Sequence, residues 1–498
     1  MDIILAMVAI LILSVLLFKD KSRATDKNKI LAPGPKGLPI LGYMPFIGPT
    51  PHVKYKELSK IYGPIVRVKM GSTDVLVLHD VQSIKEGLNK DEVLARPPYF
   101  LLRRMGMDGV ITMNGQQWLD NRRFCLHVLR DLGFGRKSME QHITEEVAQL
   151  CDVLQSWGGQ PKAITDIITS SISNNITALV FGERFHYDDP RRHFLDTRLV
   201  NFALNASFVS TLDFLPILRK LVSYVPSSKI RIAEEQLKDV HNFIRQQMRE
   251  RSNALNANVS KDLMGAYWNK INENNGGNAS FNPLSYFDHE TYFCSTWADY
   301  MSSGTHSVRA SMLWHLLNCA RDPEGVQRKL QQEVDEVVGR VRAPEWEDRK
   351  NMPYTMAVIW EMLRWRTVAP LGIIREAERD TTIGGFHVPA GTVVMSNVWA
   401  LHHDPDVWEH PMDFDPTRFL STDQTKLLPK PAALLPFSTG RRMCPGETLS
   451  MMELFIYLAT LMQRFTVLPK EGDTISMDIF DGFITLPLHT QEIRFVPR

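Results

Sequence analysis

Pro436-Phe-Ser-Thr-Gly-Arg-Arg-Met-Cys-Pro-Gly446 is the stretch on which the reading of this chain turns. Upstream lies a Pro-punctuated coil, Leu428 to Leu435. Downstream, Leu449–Phe465 is an apolar run whose length suits a buried helix. Cys444 therefore sits at a loop-to-helix junction, where backbone N–H groups without intrahelical partners can hydrogen-bond a thiolate. Gly440 and Gly446 permit close turns, and Arg442 places a cation two residues before the sulfur. A thiolate so placed is a nucleophile, a redox switch or a metal ligand. No Cys-x-x-Cys is present and the nearest other cysteine is Cys319, which argues against a zinc cluster or a dithiol switch.

Composition sets the bounds. With 498 residues, 44% of them hydrophobic, the chain can bury a large core, and a net charge of +1 gives no electrostatic case for nucleic acid. The five cysteines, Cys125, Cys151, Cys294, Cys319 and Cys444, are scattered and odd in number, as expected in a reducing compartment. Sequons at Asn175, Asn205, Asn258 and Asn278 read as chance occurrences. Ile3–Phe18 is apolar apart from Ser14 and is followed by Lys19, Lys21, Arg23, Lys27 and Lys29. At about 1.5 Å per residue it reaches about 24 Å, slightly short of a bilayer core but workable with snorkelling lysines. The basic cluster after it puts the body on the cytosolic side. We read residues 1–20 as an uncleaved single-span anchor and residues 21–45 as a basic, proline-rich hinge. Residues 46–498 are then the catalytic domain.

Several motifs follow in order. Ile65–Met70 and Thr73–Leu78 flank Gly71-Ser72 and read as a hairpin. Trp118 and Arg122 lie four apart on a helical segment, Gln116–Leu129. Thr291–Ala320 is a long helix candidate interrupted by Ser302-Ser-Gly-Thr-His-Ser307. Such a run weakens a helix and marks either close approach of another body or an opened ladder. Asp322-Pro-Glu324 starts a helix that Gly339 stops. Glu361-Met-Leu-Arg364 puts an acid and a base on one face.

The Pro436–Gly446 stretch resembles the haem-thiolate signature Phe-x-x-Gly-x-Arg-x-Cys-x-Gly of the cytochrome P450 family, filled by Phe437, Gly440, Arg442, Cys444 and Gly446. The resemblance covers residues 32–498 and looks most like microsomal members near vertebrate family 2 and related invertebrate enzymes. It implies a mainly α fold with a small β region and an N-terminal transmembrane anchor. Haem b would lie between the central helix and the Cys444 loop, with Cys444 as the iron ligand. Trp118, Arg122, Arg375 and Arg442 would clamp the propionates, and Phe437, Gly440 and Gly446 would complete the cofactor site. Glu361, Arg364 and Arg418 would lock the fold.

On the central helix Gly304 matches the family pattern, while His306 stands where an acid is expected and Ser307 where a threonine is expected. These three are the catalytic candidates, with His306 and Ser307 as the proton-delivery pair. Substrate contacts by analogy fall in Phe100–Met113, Phe202–Phe208, Met301–Ser307, Ala369–Ile374 and Gly482–Leu486. The implied activity is monooxygenation of a hydrophobic steroid, fatty acid or foreign compound with O2. Electrons would come from a separate NADPH-cytochrome P450 reductase, with cytochrome b5 as a second donor, at the endoplasmic reticulum membrane. Two alternatives stay open: a haem-thiolate isomerase or dehydratase of peroxides, and a degenerate haem-binding protein.

Overall fold

The computed structural model describes residues 29–98, 108–133, 137–198, 214–215, 228–252, 262–267, 269, 289–480 and 482–498. After helix α1 (Pro51–Tyr62), the β-rich runs form strands β1 (Ile65–Met70) and β2 (Thr73–Leu78). They make the expected hairpin, with Ile65 opposite Leu78 and Met70 opposite Thr73. Gly71 takes the left-handed φ of 57° that the turn requires. The sheet runs in the order β1-β2-β7-β4, because β2 pairs in parallel with β7 (Val393–Ser396) and β7 pairs antiparallel with β4 (Arg375–Glu376). Tyr55 and Leu58 of α1 pack with Val66, Val68, Val75 and Val77 in one cluster. Smaller pairings join β5 (Thr381–Ile383) to β6 (Phe386–Val388) and β9 (Ile479–Phe480) to β10 (Leu486–Pro487). A third sheet has the order β3 (Lys162–Ala163), β11 (Glu492–Pro497), β8 (Phe465–Pro469).

Helices make up the rest: α2 (Val81–Asn89), α3 (Gly115–Asp131), α4 (Lys137–Ser156), α5 (Thr165–Phe181), α6 (Lys229–Ser252), α7 (His289–Arg321), α8 (Arg328–Val337), α9 (Pro353–Trp365), α10 (Val398–His402) and α11 (Glu447–Arg464). The central helix α7 has 33 residues, about 50 Å at 1.5 Å per residue. Its small-residue run does not open the hydrogen-bond ladder, since the helix is continuous from end to end. Close approach is the reason for the run: a Cβ on Gly304 would lie 2.6 Å from Ile176 Cδ1 of α5. The serines bond back to the preceding turn instead of breaking it, Ser303 Oγ to Asp299 O at 2.5 Å and Ser307 Oγ to Ser303 O at 2.9 Å.

Asp322 caps the next segment through Gly325 N and Val326 N, an interaction that contributes about 1 kcal/mol at a helix start. Its first turn, Pro323–Gln327, is π-helical before α8 begins. Gly339, at φ 75°, follows the end of α8. Asn175 of the first sequon lies on α5, fully buried, with its amide on Glu453. The other three sequons, Asn205, Asn258 and Asn278, lie outside the described residues.

The Glu361–Arg364 pair on α9 is bidentate, both contacts at 2.7 Å with neither side chain exposed, and Arg418 Nε adds a 3.2 Å contact to Glu361. Arg364 also donates to the carbonyls of His402, Pro411 and Asp413. A buried ion pair holds only when its remaining donors are met, and here they are. Residues 29–45 are docked on the body. Leu31 bridges His387, Gly42 bridges Met70, and a Cβ on Gly34 would collide with Arg67 O. Among the described residues no helix is long and apolar enough to cross a membrane. The candidate span Ile3–Phe18 lies outside them.

Candidate functional site

The Cys444 loop is shaped by backbone constraints. Cys444 N donates to Phe437 O and Met443 N to Gly440 O, both at 2.9 Å. Gly440 sits at φ 76°, and a Cβ there would lie 2.4 Å from Leu88 O at the end of α2. Gly446 leaves room beside the sulfur, its would-be Cβ 3.7 Å from Cys444 Sγ. Of the five cysteines only Cys444 is partly exposed, and the other four are buried. Burial pushes Cys125, Cys151 and Cys319 up to about 12. Cys444 itself is also pushed up, against the expectation of a stabilised thiolate. Burial outweighs the Gly446 N–H and the Arg122 charge that favour the anion. A cation on the sulfur would reverse that balance, because a coordinated thiol is deprotonated outright.

Arg442 does not supply the missing charge, because it points away from the sulfur. Its guanidinium stacks on the Trp118 ring, 3.7 Å from the centroid, and donates to the carbonyls of Leu94, Val110 and Met113. Arg375, on β4, donates to Leu88 O at 2.6 Å and Thr439 O at 3.0 Å. Arg122, on α3, donates to Met443 O at 2.6 Å. A fourth member, Arg96, donates to Ile111 O, Ile373 O and Ile374 O. Among the described residues none of the four has a carboxylate within 4.0 Å. They feel one another instead. Burial, then Arg96, Arg375 and Arg122, pushes Arg442 down to about 7. Arg96 falls to about 9 through burial and then Arg375 and Arg122, and Arg375 to about 10 through burial and then Arg122. Guanidinium groups normally stay charged, so this depression records cations buried together in low dielectric, with Asp299 and Glu378 offsetting only part of it. Trp118 Nε1 is buried beside them with no partner.

On α7, Ser303 is exposed and Ser307 half-exposed, whereas Thr305 and His306 are buried. A Cβ on Gly304 would lie 2.6 Å from Ile176 Cδ1, so glycine there lets α7 pack closely on α5. One turn earlier, Asp299 is buried with Oδ2 on Ile111 N at 2.8 Å. Of the substrate stretches, Phe202–Phe208 and residues 100–107 lie outside the described residues. Val110, Thr112 and Met113 are buried, Leu371 and Ile374 pack beside the four-stranded sheet, and Phe483 is largely exposed. A surface groove of about 410 Å³ runs along α3, lined by Trp118, Leu126, His127 and the cations Arg122, Arg123, Arg130 and Arg441.

The cytochrome P450 family model matches residues 32–493. The chain is a cytochrome P450. It is 32% identical to human "Cytochrome P450 2J2", over 93% of this chain and 90% of that protein. Mouse "Cytochrome P450 2F2" is 35% identical over 88% of each chain, and Drosophila melanogaster "Cytochrome P450 18a1" is 30% identical over 89% of this chain and 83% of that protein. The expected resemblance to family 2 and to invertebrate members is thus met. As a cytochrome P450 it is a haem-thiolate monooxygenase, an oxidoreductase that uses haem b on a cysteine thiolate, O2 and an NADPH-dependent electron supply.

The residues fit that cofactor. Haem b carries two propionates, and the cluster beside the Cys444 loop is a set of guanidiniums with an indole N–H and, among the described residues, no carboxylate within 4.0 Å. Arg96 escaped the sequence reading. It is a lone cation in Val93-Leu-Ala-Arg-Pro-Pro98, and only the tertiary fold brings it to Ile373 and Arg375.

Proposed function

We propose that Cys444 is the thiolate ligand of haem b and that Arg96, Arg122, Arg375, Arg442 and Trp118 hold its propionates. The carrying observation is the carboxylate-free guanidinium cluster packed against the loop that bears the one partly exposed cysteine. When bound, haem on a thiolate supplies activation of O2, since the electron-rich sulfur favours O–O cleavage. The protein's own part is positioning and exclusion. Phe437, Gly440 and Gly446 shape the loop and let the Gly446 N–H reach the sulfur. The apolar segments around Val110–Met113, Leu371–Ile374 and Phe483 form the walls of a site for a hydrophobic steroid, fatty acid or foreign compound. Ser307 is the hydroxyl that hands protons toward the haem side, with His306 as its titratable neighbour.

The basic groove along α3 fits an acidic redox partner, so a separate NADPH-cytochrome P450 reductase, with cytochrome b5 as a second donor, supplies electrons. Residues 1–20 anchor the chain in the endoplasmic reticulum membrane, residues 21–45 orient the body, and residues 46–498 face the cytosol. The deciding experiment pairs a reduced-CO difference spectrum with NADPH oxidation in the presence of reductase. The wild type should show the thiolate-type band and substrate-dependent NADPH use. Cys444→Ser should lose the band, and a band that persists would make another cysteine the ligand. The band without NADPH use would favour the peroxide isomerase or dehydratase reading, for which His306 in place of an acid is the supporting feature.

A further inference from the structure

We propose that Glu453 is held as a neutral acid paired with Asn175 and positions the Cys444 ligand through α11. The inference rests on the reading of Cys444 as the haem ligand and adds the element that sets where that ligand stands. Both side chains are fully buried, Glu453 on α11 and Asn175 on α5.

Asn175 Nδ2 donates to Glu453 Oε1 at 3.0 Å and to Tyr457 Oη at 3.1 Å, which uses both of its hydrogens. Two acceptors of the same pair are left over. Among the described residues, Glu453 Oε2 and Asn175 Oδ1 are buried with no hydrogen-bond partner. As an ion, Glu453 would keep a bare charge on Oε2 in an apolar core, which is costly. One proton on Oε2 answers both atoms. Oε2–H then donates to Asn175 Oδ1 while Oε1 keeps the amide N–H. Burial raises Glu453 to about 8, and the hydrogen bond from Asn175 opposes that rise without overcoming it. Neighbouring charge plays no part. The elements α4, α7, α8, α9, β8 and the short helix Trp346–Asn351 pack on α11. Among the described residues no charged side chain of theirs shifts Glu453. Glu146 of α4 and Tyr187 act on Tyr457 instead, and Glu146 is met by Asn174, Tyr187 and Arg192.

The pair sits where it can set the sulfur. Tyr457 Oη meets Ser171 Oγ at 2.8 Å, so Ser171 and Asn175 of α5 face Tyr457 and Glu453 of α11 in two rungs. The next residue of α5, Ile176, packs where Gly304 of α7 has no side chain. Helix α5 is thus a strut joined both to the central helix and to the helix that follows Cys444. Gly446, the residue before α11, gives the N–H that favours the anionic sulfur. A shift of α11 against α5 moves that N–H and the sulfur with it.

The test uses the haem-loaded full chain. In an infrared difference spectrum taken across pH 8, the wild type should lose the carbonyl band of a neutral carboxyl, and Glu453→Gln should show no such loss. Glutamine keeps a donor and an acceptor for Asn175, so Glu453→Gln should hold the thiolate-type CO band as long as the wild type at neutral pH. Glu453→Ala and Asn175→Ala should each lose that band several-fold faster on mild heating, and the double variant no faster than either. Glu453→Gln decides the matter even where an alanine variant fails to load haem. The folded chain keeps a proton that the unfolded chain gives up near 4.5, so stability falls as pH rises from there to about 8. The thermal midpoint of Glu453→Gln should therefore pull ahead of the wild type across that window and then level. Survival of the infrared loss in Glu453→Gln, glutamine as damaging as alanine, or a midpoint gap that ignores pH would each overturn the proposal. So would additive losses in the double variant. If the wild type shows the infrared loss but no thiolate-type CO band, the ligand reading fails and the positioning role with it, while the neutral pair stands.

Discussion

Two buried arginine sites in this protein use the same side chain to opposite ends. At Glu361–Arg364–Arg418 both guanidiniums share one carboxylate at 2.7 and 3.2 Å. Glu361 meets both arginines, and Arg364 spends its other donors on three carbonyls. At Arg96–Arg122–Arg375–Arg442 the donors find carbonyls and amide oxygens, but among the described residues no carboxylate lies within 4.0 Å of them, and the longer-range charges of Asp299 and Glu378 offset only part of the cost of burial. Hydrogen bonding is good in both, so the difference is the carboxylate at the centre of one and not of the other. A cluster built around its own carboxylate is a fastening of the fold. For the other we propose that the two carboxylates of haem b, held on Cys444, supply the anions.

The sharpest way to break this comparison is to damage the side that carries its own carboxylate. Glu361→Gln would leave buried Arg364 and partly buried Arg418 without their anion, and breaking a buried pair costs about 3–5 kcal/mol. We expect almost no folded protein, measured as the yield of soluble, haem-loaded chain. Normal yield would mean that the lock is dispensable.

The matching change on the other side should have the opposite sign in the absence of cofactor. Arg375→Met removes one of the mutually repelling cations, so the haem-free protein should be no less stable, read from its urea midpoint. Haem, however, should dissociate about 10–100-fold faster into an excess of scavenger, which is about 1.5–3 kcal/mol for a lost charge-assisted contact. A large loss of haem-free stability would show that Arg375 is a fold fastener after all.

A smaller effect tests the Glu361 side by pH. His402 accepts a hydrogen bond from Leu435 N on Nε2 and pairs through Nδ1 with Thr367 Oγ1, which fixes it in the neutral form. Burial, then His403 and Arg364, holds its pKa well below the usual value. A depressed histidine means that the folded state binds fewer protons than the unfolded chain. Its contribution is therefore complete above the unfolded pKa of about 6.5 and is lost as pH falls below it. His52 and His315, held near 4 by burial, add to the same slope. Thermal midpoints should fall below about pH 6.5. His402→Gln should make that fall shallower by one proton, about 1.4 kcal/mol per pH unit. An unchanged slope would remove His402 from the set.

What could be read from the sequence divides along the same line. The Cys444 loop was legible because each fixed residue answers a local demand: Gly440 a left-handed turn under Leu88, Gly446 room beside the sulfur. Hairpin boundaries at Ile65–Met70 and Thr73–Leu78 were legible because β-rich runs and a Gly-Ser turn are local signals too. The sign of the Cys444 shift was not, since burial is assembled from distant segments and outweighs the helix-start N–H. Arg96 was missed for a related reason. It sits in no motif, and its partner Ile373 lies far along the chain. The small-residue run in α7 was legible as one of two things, close approach or an opened ladder, and the continuous helix with Gly304 against Ile176 is the first.

The central claim is that the four-arginine cluster is completed by the carboxylates of haem b. The most direct measurement adds to the haem-free protein either haem b or its dimethyl ester, which keeps the iron and the ring but has no anionic carboxylates. Thermal midpoint and the reduced-CO spectrum are then recorded for each. The account predicts that free-acid haem raises the midpoint and yields the thiolate-type band, while the ester binds weakly and raises the midpoint far less. In Arg375→Met the gap between the two should shrink. Equal stabilisation by acid and ester would contradict it, leaving the guanidinium cluster without a role in holding the cofactor.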